Sequence, residues 1–376
     1  MAGEGPPHPR RVLMTGDTVG GVWHYALQLA EGLGAHDISV TLATMGRPAT
    51  SDQRRAAAAI PSLTLVESTY KLEWMPDCWT DVERAGEWLL ALADTYAPDV
   101  VHVNGFAHGA LPWPAPHIVV GHSCVWSWWV AVHGTEPPPE WSRYRDVVRS
   151  GLHAARAVVA PSRAMLQALR THYGIRRGIV VPNGRDHRGF SSAPKMPVVF
   201  TAGRIWDAAK NVAALAAVCD DVPWPIYVAG ETCAPGGEGT DLSGIRCLGN
   251  LAVDELRQWL ARAAIYALPA RYEPFGLSVL EAGLSRCALV IGDIPSLREN
   301  WDGAAMFVPP GEAIPLRTAL RDLARQPSRR ADLQRRAFDR ALEFSVDRMV
   351  GGYLHVYGSV AGNAEGNRQE SAACAS

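Results

Sequence analysis

A chain of 376 residues is too long for one ordinary domain and suits two, each able to bury its own core. Its 48% hydrophobic and 20% charged residues are globular composition, and a formal net charge of -2 carries no basic bias toward nucleic acid, so a small-molecule substrate is the natural partner. The seven cysteines (Cys78, Cys124, Cys219, Cys233, Cys247, Cys287, Cys374) are scattered and form no C-x-x-C pair, which speaks against a disulfide framework and a zinc site and for a reducing cytoplasm.

The first stretch, MAGEGPPHPRR, lacks the apolar core of a signal peptide, and no apolar run approaches the length of a bilayer span; residues 1–10 are expected to be flexible. Peripheral contact with the inner face of a membrane stays open. Short apolar runs then alternate with helical patterns. They are Arg11 to Thr15, Ile38 to Thr44, Asp99 to Val103, His117 to Gly121, Ala157 to Ala160 and Ile179 to Val181, the pattern of parallel strands joined by crossover helices. Between the first two, Val22, Ala26, Leu29, Ala30 and Leu33 fall at helical spacing and predict one apolar face.

The polar, proline-containing stretch Ser191 to Pro197 suits a linker. A second series follows, with strands expected at Val198 to Ala202, Ile226 to Ala229, Ile265 to Leu268, Ala288 to Ile291 and Ala305 to Val308. The expected architecture is therefore α/β, with two doubly wound Rossmann-like domains at 11–192 and 197–345. A helix is expected over 346–360 and a disordered tail over 361–376.

Ligands of open parallel sheets bind beyond the carboxyl ends of the strands. The densest cluster there is RYEPFGLSVLEAG, Arg271 to Gly283. Pro274 favours a helix start and Gly276 permits close backbone approach, so amides near Phe275, Gly276 and Leu277 are placed to face an anion. Glu273 falls on the loop. Glu281 falls in the helix, where a carboxylate can take two hydrogen bonds from a vicinal diol such as ribose. Gly203-Arg204 directly follows an expected strand, and Lys210-Asn211 comes shortly after; both cations can reach one pyrophosphate. Each of these residues alone reads as surface. Together they suit a nucleotide sugar.

In this order GRIWDAAKN, LGNLAVDEL, LPARYEPFGLSVLEAG and FVPPGE resemble the carboxyl-terminal half of glycosyltransferase family 4. TGDTVGGVWHYALQLAEGL, PDVVHVNG, VVAPSRAM and VPNGRD carry a looser resemblance through the amino-terminal half. The resemblance implies a GT-B fold, with an acceptor domain and a donor domain facing across a cleft and the terminal helix crossing back to the first domain. It implies a retaining transfer from a nucleotide diphosphate sugar to an acceptor hydroxyl, with no metal required. Arg204 and Lys210 would hold the diphosphate, Glu273 the donor sugar and Glu281 the ribose. Amides from Phe275 to Leu277 would join them, and Gly203, Gly230, Asn250 and Leu251 would lie along the donor.

Gly20 and Gly21, between strand and helix, could let backbone approach the donor phosphate or acceptor, or simply form a tight turn. His122 ends an expected strand; the resemblance implies a contact with the donor sugar near the reacting carbon, and a satisfied structural histidine is the other reading. Asp17 and His24 read equally as acceptor contacts or helix-start residues. The aromatic run Trp126, Trp128 and Trp129 suits packing first and an acceptor platform second. After Glu281 the chain departs from the family pattern, with Arg286 and Ala288 where a glycine and a proline are usual, and the glycine-rich loop Cys233 to Gly244 leaves the donor base open. The rival functions are a nucleotide-sugar-binding protein without turnover and a GT-B epimerase or phosphorylase.

Overall fold

The computed structural model describes residues 9–233 and 239–373, with side chains as far as residue 361. Most of the amino-terminal stretch (1–8) and the centre of the glycine-rich loop (234–238) lie outside the described residues. Two compact units result. The first takes the chain up to Trp126, then Pro137–Gly184 and the segment from Val346; the second takes Ser127–Glu136 and Arg185–Ser345.

The chain runs β1 (Arg11–Asp17), α1 (Gly21–Gly34), β2 (Ser39–Met45), α2 (Ser51–Ala58), β3 (Leu63–Glu67), α3 (Trp79–Tyr96), β4 (Val100–Val103), β5 (His117–Val120) and α4 (Val125–His133). It continues through α5 (Ser142–Ala154), β6 (Ala157–Ala160), α6 (Arg163–Tyr173) and β7 (Ile179–Val180). These strands form one parallel sheet in the order β3-β2-β1-β4-β5-β6-β7. Every residue of β4 (VVHV) and β5 (HIVV) is buried, as expected of strands covered on both faces, with one histidine in each otherwise apolar run. β3 has no counterpart in the sequence reading. At the sheet edge it is only half-buried, so its LTLVE alternates apolar and polar residues too briefly to stand out.

The second series is β8 (Met196–Ala202), α7 (Ala213–Ala216), β9 (Ile226–Ala229), β10 (Arg246–Cys247), α8 (Val253–Arg262), β11 (Ala263–Leu268), α9 (Leu277–Leu284), β12 (Ala288–Gly292), α10 (Pro295–Trp301) and β13 (Met306–Val308). Helices α11 (Ala313–Arg325), α12 (Pro327–Ala341) and α13 (Val346–Ala373) complete the chain. The second sheet is also parallel, in the order β10-β9-β8-β11-β12-β13. Neighbouring residues of one strand serve opposite faces: Phe200 and Tyr266 join a core with Leu280 and Trp301, while Val199 and Ile265 join another with Leu316 and Leu320. That is a doubly wound sheet.

Two boundaries differ from expectation. The first unit gives way to the second between Gly184 and Arg185, upstream of the 191–197 stretch. Phe190 already packs against the second core, and Arg185 is ion-paired within the second unit. The last helix, α13, continues to Ala373 through much of the span expected as a tail. That span contains no proline, so nothing local stops the helix. Met349, Val350, Tyr353 and Tyr357 of α13 belong to the first core beside Leu29 and Leu33 of α1. At Gly32 of α1 a Cβ would lie 2.4 Å from the Val350 side chain, so glycine sets how closely the helices approach.

Candidate active site

In each sheet the strand order reverses once, between β1 and β4 and between β8 and β11. Loops leaving those strands at their carboxyl ends are where an open parallel sheet admits a ligand.

In the second unit Gly203, at φ 148°, directly follows β8, and Gly230, at φ 131°, directly follows β9. The Gly203 N–H donates to the Ala229 carbonyl at 3.0 Å, and a Cβ on Gly230 would lie 1.8 Å from the Gly203 carbonyl oxygen. Gly230 thus lets the two strand ends meet, while Gly203 serves through its positive φ. The Gly230 N–H donates to Gly249 at 2.8 Å, which brings the loop carrying Asn250 and Leu251 beside β9; Asn250 is exposed and Leu251 packs partly on the core.

Arg204 follows at once. Its guanidinium lies 3.1 Å from Asp207 and 5.6 Å above the Trp206 ring, with the side chain 40% exposed. The buried Asp207 carboxylate also accepts the Ala209 N–H at 3.0 Å and the Trp128 indole N–H at 2.9 Å. Trp128 therefore serves the second unit. Trp126 is buried in the first, under the Arg145 guanidinium at 4.5 Å, and Trp129 packs on His133 with ring centroids 4.4 Å apart.

Lys210 is tied to the same loop, its N–H donating to the Asp207 carbonyl at 2.8 Å. Its ammonium is ion-paired with Glu273, and the two side chains are only 18% and 12% exposed. Asn211, at φ 55°, donates through its amide to the Pro269 and Pro310 carbonyls at 2.9 and 2.7 Å, and the Arg271 N–H reaches the Ala209 carbonyl at 2.8 Å. The loops after β8 and β11 are thereby sewn together.

The other Glu273 oxygen accepts the Gly276 N–H at 3.0 Å. This corrects one expectation: the Gly276 amide is already engaged by the acid three residues before it. Gly276, at φ 93°, is the N-cap of α9, and Pro274 precedes that cap by two residues. Phe275 is buried, and its carbonyl accepts from the Asn300 amide at 3.2 Å. Leu277 opens the helix.

Glu281, within α9, is paired with Arg185, which carries no signal of its own in the sequence; the side chains are 14% and 9% exposed. The Arg185 Nε is buried and has no hydrogen-bond partner among the described residues. A run of contacts thus leads from Arg204 through Asp207, Lys210 and Glu273 to α9 and its Glu281–Arg185 pair. An open concavity of about 410 Å³ in the same unit is lined by His133, Gly134, Arg271, Pro310 and Gly311 among others.

In the first unit Gly20, at φ 93°, is the N-cap of α1, and both Gly20 and Gly21 are exposed. Asp17 accepts the Val19 N–H at 2.7 Å, which shapes that turn. His122 is half-buried beyond the end of β5, its Nε2 2.8 Å from Asn104 Oδ1 and its ring 4.5 Å from Tyr25, edge to face. Burial pushes its imidazole down to about 4. Glu73 is a second residue without a signal in the sequence. Its carboxylate accepts the Phe106 and Ala107 N–H groups at 3.1 and 2.6 Å, and burial pushes it up to about 7.

The family model for Glycosyltransferase Family 4 matches residues 19–188, and that for Glycosyl transferases group 1 matches residues 196–326. The chain belongs to the family 4, group 1 glycosyltransferases. Its two parallel sheets with their helices are the GT-B fold of these transferases. Sucrose-phosphate synthase from Thermosynechococcus elongatus is similar in structure, with TM-score 0.77 and 17% identity over 93% of this chain and 98% of that one. Anabaena HepE, solved with UDP and glucose, gives TM-score 0.74 and 16% identity over 94% and 100%. WaaG, a glycosyltransferase of lipopolysaccharide biosynthesis, gives 0.68 and 13% over 92% and 99%. No curated protein matches the sequence. Among the described residues no helix is long and apolar enough to cross a membrane.

Proposed function

We propose that this transferase moves a sugar from a nucleotide diphosphate sugar to an acceptor hydroxyl with retention of anomeric configuration. The observation that carries the reading is the linked set of Arg204, Lys210 and Glu273 on the loops after β8 and β11 with Glu281 on the following helix α9. Two cations and two carboxylates around one anion would be self-defeating unless the ligand brought hydroxyls as well as charge. A nucleotide sugar does.

Arg204 and Lys210 bind the diphosphate, and they stabilise it most as charge builds on the leaving oxygen. Glu273, held by Lys210 and Gly276, accepts from donor-sugar hydroxyls, and Glu281, held by Arg185, accepts from the ribose diol. Amides around Phe275 and Leu277 and the loop of Asn250 and Leu251 lie along the donor. Gly230 shapes the floor by letting strand ends meet, and Gly203 through its positive φ.

The bond from the anomeric carbon to the diphosphate oxygen breaks as the acceptor oxygen bonds to that carbon on the same face, and the acceptor proton passes to the leaving phosphate oxygen. No bound metal is required by this scheme. The HepE structures with UDP, glucose and UDP-glucose support a nucleotide-sugar donor by likeness of fold. A panel of nucleotide sugars, read by release of nucleoside diphosphate and by NMR of the product anomer, tests the reading. One donor is expected to turn over with retention. Lys210→Gln and Glu281→Gln are expected to lower kcat/KM about 100-fold or more with the fold intact by circular dichroism; near-normal turnover in either contradicts it.

A further inference from the structure

In the second unit a buried carboxylate stands behind the cation that follows β8. Asp207 uses its two oxygens differently. Oδ1 accepts the Ala209 N–H at 3.0 Å and the Trp128 indole N–H at 2.9 Å, while Oδ2 accepts from Nη2 of Arg204 at 3.1 Å. Trp128 reaches it from the segment Ser127–Glu136, which belongs to the same unit. Two neutral donors fix the plane of the carboxylate and leave its charge to Arg204. The backbone carbonyl of Asp207 also accepts the Lys210 N–H at 2.8 Å, so one residue places both cations of the loop.

With its side chain 5% exposed and both oxygens engaged, Asp207 cannot itself meet a ligand; Arg204, 40% exposed and backed by the Trp206 ring at 5.6 Å, can. A long side chain on a loop visits many rotamers in water, and an ion pair between two mobile partners orders it little. Here one partner is already immobile. We propose that Asp207 is a positioning residue that holds the Arg204 guanidinium in one orientation toward the donor diphosphate, and that Trp128 supports Asp207 through its indole N–H. The proposal rests on the assignment of Arg204 to the diphosphate. Orientation matters most where charge builds on the leaving oxygen, so its loss falls on kcat more than on KM.

Asp207→Asn isolates the contact. The Ala209 and Trp128 N–H groups demand an acceptor, so the amide oxygen takes the place of Oδ1 and the amide nitrogen, a donor, faces Arg204. NMR of the full chain reads the result, with the Trp128 indole and Arg204 Nε–H signals assigned by their loss in Trp128→Phe and Arg204→Gln. In Asp207→Asn the indole N–H is expected to remain protected from exchange, while the Arg204 Nε–H passes from ordered to mobile. The kcat is expected to fall about tenfold in Asp207→Asn and about threefold in Trp128→Phe, with donor KM within about twofold of the wild type. In an Arg204→Gln background Asp207→Asn is expected to add no further loss. An Arg204 Nε–H as ordered in Asp207→Asn as in the wild type overturns the proposal, while loss of turnover in Arg204→Gln leaves the diphosphate reading standing. A further tenfold loss in the Arg204→Gln background also overturns it, because Asp207 then acts elsewhere. Normal turnover in Arg204→Gln overturns the diphosphate reading and the proposal with it.

Discussion

Arg185 and Glu281 meet with little solvent around them, and removing one partner of such a pair strands a charge. Arg185→Leu is expected to cost about 3–5 kcal/mol of stability. The double variant Arg185→Leu/Glu281→Leu is expected to recover much of it, because nothing charged is left buried; chemical denaturation of the three proteins measures the difference. Glu73 makes a second prediction. Unfolded, it ionises near 4.5, whereas folded it keeps its proton until about 7. Between those values the folded state binds more protons, so stability falls as pH rises. Glu73→Gln removes that decline, and the stability of the variant relative to wild type should grow by on the order of 2–3 kcal/mol from pH 4 to pH 8. Arg204, Lys210, Glu273 and Glu281 stand out in the sequence because motifs set them on the loops after two strands and on the helix that follows the second. Arg185 and Glu73 do not, since their meaning lies in partners, Glu281 and the Phe106–Ala107 amides, that only the fold brings near.

At the ends of the elements glycine does two different jobs. Gly230 has both a positive φ and a carbonyl oxygen 1.8 Å from where a Cβ would stand, whereas Gly20 has a positive φ and nothing within 4 Å. Gly230→Ala should therefore force the β8 and β9 ends apart and cost several times the roughly 1 kcal/mol expected of Gly20→Ala, read as the difference in thermal midpoints. Past α9, Arg286 sits at φ 58° where a family glycine is usual, with its guanidinium 3.7 Å over the Phe338 ring. The ring contact offsets the backbone cost. Arg286→Gly should be near neutral, and Arg286→Ala, which keeps the strain and loses the contact, should cost about 0.5–1 kcal/mol in a denaturation curve. Strands buried on both faces declared themselves as apolar runs, while edge strands β3 and β10 did not.

For the whole molecule, alternation of strand and helix was enough to predict two doubly wound sheets, but not where the chain leaves one unit for the other. The amphipathic pattern of α1 predicted one apolar face, yet Trp23 and Leu27 are buried as well, because α13 returns from the far end of the sequence to pack on that helix. Ending the chain at Ser345 removes Met349, Val350, Tyr353 and Tyr357 from the first core. At about 1.5–3 kcal/mol for each large side chain, the loss rivals the stability of a whole domain, so the first unit should fail to fold, read as loss of its cooperative melting transition. The central claim is that side chains of opposite sign at the ends of β8 and β11 grip a diphosphate and the hydroxyls on either side of it. Calorimetric titration with uridine, guanosine and adenosine diphosphates tests it most directly. One of them is predicted to bind, about tenfold or more weaker to Lys210→Gln and to Arg204→Gln, with its 2′-deoxy form also weaker for the wild type but not for Glu281→Gln. Failure of all three to bind, or binding indifferent to those changes, would contradict the account.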